Sequence, residues 1–136
     1  MANRIIVFDT SVVIDHVRTA KHEARIATVS GLLRNSAVVL SELLRGATRP
    51  EELAFIDILA KNHPILSPTE KNWLEAGEIL STLYREKGFS PGKLRDLHFD
   101  VLIALTARAY GAVLITSNRA DFELIQRHKD FNLEIW

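Results

Sequence analysis

No cysteine occurs in this chain of 136 residues, which excludes disulfide cross-links, a thiolate nucleophile and a zinc–thiolate site. Long apolar runs are also missing. The longest are strand-sized, far short of the roughly 20 residues that a membrane-spanning helix requires, so no membrane association is expected. The first residues show neither an apolar h-region nor a small-residue cleavage site, and a cytoplasmic location is the expectation. Charge of one sign is not in excess either: 17 basic residues balance 17 acidic ones. That balance argues against holding nucleic acid by global positive charge alone, while local segregation stays open. A glycine-rich GK[ST] loop is absent, which excludes a Walker-type phosphate cradle.

What is present is ordinary for a globular protein. An apolar fraction of 47% with 25% charged residues supports one substantial core and a single domain over residues 1–136. Apolar periodicity gives an alternation of strands and helices. Strands are expected at Arg4 to Asp9, Ala37 to Leu40, Pro64 to Leu66, Ala112 to Thr116 and Asn132 to Ile135. Helices are expected at Ser11 to Val17, Glu23 to Leu33, Glu42 to Ala47, from Pro50 to His63, from Thr69 to Lys87, Leu94 to Tyr110 and Phe122 to His128. Gly88 to Lys93 reads as a loop. Strands separated by helices imply the α/β class, here a three-layer α/β/α sandwich around a mainly parallel central sheet.

A parallel sheet collects its ligands at the carboxyl edge, where strands end and crossover helices begin. Four acids fall at such positions. Asp9 ends the first strand, Glu42 starts the helix after the second, Asp100 lies in the first turns of a later helix, and Asp121 follows the next strand. Each of Asp9, Glu42 and Asp121 also has a purely structural explanation: a helix N-cap, a helix-dipole partner, or the last position of a capping box in NRAD. Asp100 is different. It is embedded in FDVLIA, and a carboxylate on an apolar stripe must be paired, metal-bound or protonated. Arg95 and Arg108 are the partners that a structural role would use.

Together the acids are more informative than singly. Carboxylates gathered at one edge raise one another's pKa unless a cation neutralises them. An all-oxygen ligand set suits a hard ion, Mg²⁺ or Mn²⁺. Such ions activate water and stabilise charge on a phosphate, which points to phosphodiester chemistry. A haloacid-dehalogenase-like phosphatase would need a second acid two residues after Asp9, where Ser11 stands. A receiver domain would place its phosphoacceptor on a strand well into the chain.

In order and spacing, FDTSVVID, SELLRGA, FDVLIALTARAYGAVLIT and TSNRADFELI resemble the PIN-domain family, and within it the VapC-type toxins of toxin–antitoxin pairs. The resemblance covers essentially the whole chain and is most specific from Asp100 to Phe122. It implies a compact α/β/α sandwich and a Mg²⁺- or Mn²⁺-dependent endoribonuclease. Carried over, Asp9, Glu42, Asp100 and Asp121 match the metal-site acids, while Thr10, Ser11, Thr116 and Asn118 match the polar residues around them. Many relatives have Asn where Ser11 stands.

On this resemblance, Asp9, Asp100 and Asp121 are expected to hold the ion, and Glu42 to bind through water or to position the attacking hydroxide. Thr116 and Asn118 would orient the carboxylates. Arg45, Arg49, Lys93, Arg95 and Arg119 are candidates for RNA phosphates, with a solvated surface role the simpler reading for each. Asp96, one turn before Asp100, reads as a surface acid. His98 is the one histidine near the proposed site. The resemblance further implies a homodimer and an inhibitory antitoxin partner that occupies the active-site groove. An RNA-processing nuclease that is not a toxin, and a non-catalytic binding module, are the alternatives.

Overall fold

The computed structural model describes residues 4–136. Five strands are present: β1 (Ile5–Phe8), β2 (Leu32–Ser36), β3 (Ile65–Leu66), β4 (Val113–Thr116) and β5 (Asn132–Ile135). They form one sheet in the order β3-β2-β1-β4-β5, and every pairing is parallel. Seven helices connect them: α1 (Thr10–Thr19), α2 (Glu23–Thr28), α3 (Ala37–Gly46), α4 (Pro50–Asn62), α5 (Glu70–Lys87), α6 (Pro91–Ala109) and α7 (Arg119–His128). The chain first builds outward from β1 to β3, then crosses back to place β4 on the other side of β1. Strand order therefore reverses between β1 and β4, the position where an open parallel sheet leaves a crevice at its carboxyl edge.

Burial on both faces explains why β1 reads as an unbroken apolar run. Val7 belongs to the larger core, with Val101, Leu102, Leu105 and Leu114, whereas Ile6 packs with Val12 and Ile115 on the other face. Ile6 and Val7 are each only 1% exposed, the two-sided burial expected of a parallel strand. The long helix α6 carries much of the larger core, since Leu97 and every residue from Val101 to Ala107 are buried. Among the described residues no helix is long and apolar enough to cross a membrane.

Two expectations are corrected. The stretch Ala37 to Leu40 is not a strand but the first turn of α3, and β2 lies earlier, over Leu32–Ser36, in a segment expected to end a helix. Glycine and serine explain the shift. Gly31 takes φ 147°, and a Cβ there would stand 2.6 Å from the Arg4 carbonyl oxygen, so only glycine lets the chain turn beside β1. Ser36 then accepts a hydrogen bond from the Val39 amide, an N-cap that starts α3 immediately after the strand. The run Val38, Val39 and Leu40 is the buried stripe of that helix. Strand β2 is polar at Arg34 and Asn35, so its sequence conceals it; Asn35 Nδ2 donates to the carbonyl oxygens of Leu59 and His63.

The second correction concerns the expected loop at Gly88 to Lys93. Gly88 does end α5 in the left-handed region, but Ser90 caps the Lys93 amide and Pro91 occupies the first turn of α6. Proline there loses no hydrogen bond, because the first amides of a helix have no internal partner. Lys93 thus stands on the first turn of α6, and Asp100 in its middle rather than near its start. Helix α7 likewise begins at Arg119, three residues before the expected Phe122. The remaining elements fall close to their expected bounds, including Thr69, which forms a reciprocal capping box with Asn72.

Candidate metal centre

Asp9 is the residue at which β1 leaves the sheet. Its amide still donates to the Ile115 carbonyl at 2.8 Å, which anchors it beside the end of β4. Although it precedes α1, its side chain makes no cap hydrogen bond to that helix, so the capping explanation does not hold. Instead Ser11 Oγ and Thr116 Oγ1 both donate to one oxygen, Asp9 Oδ2, each at 2.8 Å. Those hydroxyls are themselves oriented from behind, because the Ser117 amide donates to Ser11 Oγ at 3.1 Å and the Asn118 amide to Thr116 Oγ1 at 3.0 Å. The two chains of donors converge on Oδ2, and the Thr10 and Ser11 amides also lie against the carboxyl. Burial, at 4% exposure, still pushes the Asp9 carboxyl above its ordinary range despite these bonds.

Glu42 lies inside α3, not at its start. Thr10 Oγ1, at the first position of α1, donates to Glu42 Oε1 at 2.7 Å, so again one carboxylate oxygen is held and its twin is open. Burial raises its pKa, with Asp9 and Asp96 adding to the rise while the Thr10 bond and Arg45 oppose it.

Asp100 projects from the middle of α6 into the same crevice. Arg108 is not its partner, since that guanidinium donates to the Asp130 carbonyl. Among the described residues no hydrogen bond or ion pair reaches Asp100. Its pKa is pushed up to about 8, first by burial, then by the charges of Asp9, Glu42 and Asp121, with only Lys93 opposing. These contributions establish that the structure brings all four sequence-predicted acids into one electrostatic neighbourhood.

Asp121 completes the group from the first turn of α7. Lys93 Nζ stands 2.9 Å from Oδ1, and Asn118 Nδ2 donates to Oδ2 at 3.1 Å. Asn118 also accepts from the Asp121 amide at 3.4 Å. NRAD is therefore half a capping box: the Asp121 side chain meets the asparagine amide group rather than the backbone.

The residues fit a hard divalent ion by chemistry. All candidate ligands are carboxylate oxygens, among the described residues no side chain bonds to Oδ1 of Asp9 or Oε2 of Glu42, and Asp100 is a carboxyl group with three acids and one lysine acting on it. Among the described residues, however, no three Asp, Glu or His side chains already meet around a point at ligating distance. Asp121, with both oxygens engaged by Lys93 and Asn118, stands apart from the other three in bonding.

The other candidates are placed differently. The Arg45 guanidinium lies 5.3 Å from the centre of the Phe99 ring, beside the acids. Arg49 pairs with Glu51 and Glu52, and Arg119 with Glu123, all on the surface. Arg95 and Asp96 are exposed on α6. His98 meets the edge of Trp73 at 6.0 Å, toward α5. A groove of about 460 Å³ runs between α1, α3 and α4, lined by Val13, Ile14, Val17, Leu43, Phe55 and Ile56 among others, with Glu42 on its wall.

Sequence reasoning missed one network. Asp15 Oδ2, His22 Nε2 and Ser117 Oγ lie within 3.3–3.4 Å of one another, and His22 is only 2% exposed. Aspartate and serine both approach the same imidazole nitrogen, so this is no proton relay to a nucleophile, which would use both ring nitrogens. Its position beside Thr116 and Asn118 makes it a support for the loop after β4. Only the adjacency of Ser117 to those two residues could have signalled it.

The PIN domain family model matches residues 6–127. Among solved structures, the chain is similar to one in a VapBC2 complex from Rickettsia felis bound to a DNA fragment from its promoter, with 24% identity, a TM-score of 0.69, and 97% of this chain and 98% of that one covered. A DNA-bound VapBC from Salmonella typhimurium matches at 24% identity and a TM-score of 0.70, covering 98% of each chain. A toxin–antitoxin complex from Klebsiella pneumoniae matches at 20% identity and a TM-score of 0.60, covering 86% of this chain and 89% of that one. No curated protein matches. At these identities the solved structures share the fold, and the family model spans nearly the whole sheet and its crevice: the chain belongs to the PIN domain family.

Proposed function

We propose that the protein is a divalent-cation-dependent endoribonuclease acting as the toxin of a toxin–antitoxin pair. The observation that carries the reading is Asp100, a carboxyl group raised to about 8 by burial and three other acids at the switch point of a parallel sheet. Asp9, Asp100 and Asp121 would hold Mg²⁺ or Mn²⁺, with Glu42 bound through water. The ion would supply charge stabilisation on the phosphate and a more acidic water.

The chain's own residues do the positioning. Ser11 and Thr116 hold Oδ2 of Asp9 and so fix the orientation of its carboxylate. Thr10 holds Oε1 of Glu42, so that Oε2 is available to take a proton from the attacking water. Asn118 sets the plane of the Asp121 carboxylate. Of the candidate cations for RNA phosphates, Arg95 is exposed with no acidic partner among the described residues, whereas Arg49, Lys93 and Arg119 would exchange a carboxylate for a phosphate and Arg45 would reach one from beside the Phe99 ring.

The groove between α1, α3 and α4 supports an antitoxin partner, because its mixed lining offers apolar Val13, Ile14, Phe55 and Ile56 beside charged Arg18, Arg49 and Glu42. The solved relatives from Rickettsia felis and Salmonella typhimurium are VapBC complexes, which favours a toxin over a housekeeping nuclease. A homodimer belongs to the same reading, and exposed Leu53, Ile58, Trp73 and Leu74 on α4 and α5 are apolar side chains that such an interface would cover. The test is RNA cleavage with Mg²⁺ or Mn²⁺ by the wild type, Asp9→Asn and Asp100→Asn. Loss of cleavage in both variants is expected, and equal activity in all three would refute the site. Growth arrest on expression, relieved by a co-expressed small protein encoded beside it, is the corresponding test of the toxin reading.

A further inference from the structure

We propose that Lys93 is a tethered counter-cation that occupies Asp121 in the metal-free protein and is exchanged for the divalent ion when the site loads. The inference rests on the reading of the four acids as the metal site. Its basis is the ion pair itself: Lys93 Nζ lies 2.9 Å from Asp121 Oδ1, while Asn118 takes Oδ2 at 3.1 Å. A divalent ion approaching Asp121 Oδ1 therefore meets the ammonium charge on the same oxygen.

The fold sets up the exchange. Ser90 and Pro91 start α6 so that Lys93 stands on its first turn, and Asp96 and Asp100 follow at three and seven residues along the same face. The other cations nearby are committed elsewhere: Arg45 lies over the Phe99 ring and Arg119 pairs with Glu123. Lys93 is 38% exposed, so its flexible stem has solvent to swing into. A lysine ammonium is a compact point charge on four methylenes, suited to release in a way that a bidentate guanidinium is not.

The energetic consequence has a definite sign. A divalent ion entering the site displaces one positive charge from Asp121, so the affinity observed is lower than that of the acids alone. Removing the ammonium must raise cation affinity even though it leaves the metal-free acids less well neutralised. Because removing any nearby positive charge favours a cation, the exchange is read from the release of the Lys93 side chain itself as the site loads.

The experiment is calorimetric titration of Mn²⁺ into the metal-free full-length protein, comparing the wild type with Lys93→Met, Lys93→Arg, Asp121→Asn and Asp100→Asn. Lys93→Met is expected to bind Mn²⁺ about three- to tenfold more tightly than the wild type, and Lys93→Arg more weakly than the wild type, because the guanidinium keeps the charge and releases Asp121 less readily. In the wild type, Mg²⁺ should shift the NMR resonances of the Lys93 ε-methylene with the same midpoint as binding. Unchanged or weaker affinity in Lys93→Met, while Asp121→Asn and Asp100→Asn lose binding, overturns the exchange and leaves the metal site intact. Wild-type affinity in the two aspartate variants overturns the site reading itself, and the exchange with it.

Discussion

Thr116 and Asp9 lie 107 residues apart in the chain and are joined by a 2.8 Å hydrogen bond across the boundary of β4 and β1. Both are buried, so the hydroxyl serves a carboxylate that water cannot reach freely. Thr116→Val preserves shape and deletes this donor together with the acceptor of the Asn118 amide. The expected loss is about 1.5–3 kcal/mol at neutral pH, the range for a hydrogen bond to a charged group, read by urea unfolding. In an Asp9→Asn background the same substitution should cost less, because the charge is gone; equal losses in both backgrounds would show that the bond does not act through the carboxylate.

Asp100 makes the metal-free protein sensitive to pH. Its folded pKa, about 8, lies above the ordinary value of 3.8. Between those values the folded state holds a proton that the unfolded chain has released, so stability falls as pH rises through the window. The penalty is absent below the lower value and complete above the upper one. Relative to Asp100→Asn, the wild type should lose on the order of a few kcal/mol between pH 4 and pH 8.5. Thermal unfolding of both proteins across that range without divalent ions checks it; parallel curves would contradict the coupling. With Mn²⁺ present the difference should shrink.

Ser36 offers a test of the register that the sequence disguised. It is buried and accepts from the Val39 amide at 3.3 Å, which begins α3 and so sets where Glu42 stands. Ser36→Ala should destabilise the protein by about 1 kcal/mol and lower metal-dependent cleavage as Glu42 loses its position. A stability change near zero would mean that tertiary packing, not the cap, starts the helix.

How far the sequence revealed the molecule differs between strands and turns. Strands β1 and β4 were legible because they are buried on both faces, and β5 was found to the residue. Strand β2 was not, because it carries Arg34 and Asn35 and gains its stability from pairing with β1 and β3, a tertiary effect that no local pattern records. The apolar run beside it is helical for the same reason that misled the reading: Val38, Val39 and Leu40 satisfy a strand and a buried helix equally. The acids survived these errors. Glu42 and Asp100 sit inside helices rather than at their starts, yet the packing of α3 and α6 on the sheet still brings them to the carboxyl edge. What no spacing could reveal was bonding between side chains, such as Lys93 on Asp121 or His22 between Asp15 and Ser117.

Glu42 is expected to matter for chemistry more than for folding. In Glu42→Gln the Thr10 hydroxyl keeps a carbonyl acceptor, and one of the charges that raise Asp100 disappears. Stability without metal should therefore stay level or rise, while cleavage falls by about 10²–10⁴, the range for a positioned proton acceptor. Turnover of a short fluorogenic RNA, with unfolding measured on the same preparation, separates the two. Cleavage within about threefold of the wild type would remove Glu42 from the proton-accepting role.

The groove between α1, α3 and α4 provides the test of inhibition. Val17 lies on its rim and is 45% exposed, so a charged side chain there meets solvent in the free protein and a buried apolar contact in a complex. Burying that charge without a partner opposes binding. Val17→Glu should weaken association with the small inhibitory protein by about tenfold or more, measured by calorimetry, and leave metal-dependent cleavage unchanged because Val17 takes no part in it. In cells the variant should arrest growth even when the inhibitor is co-expressed at a level that rescues the wild type. Full rescue together with unchanged affinity would move the inhibitory surface away from this groove, and the exposed apolar residues of α4 and α5 would then be the next place to substitute.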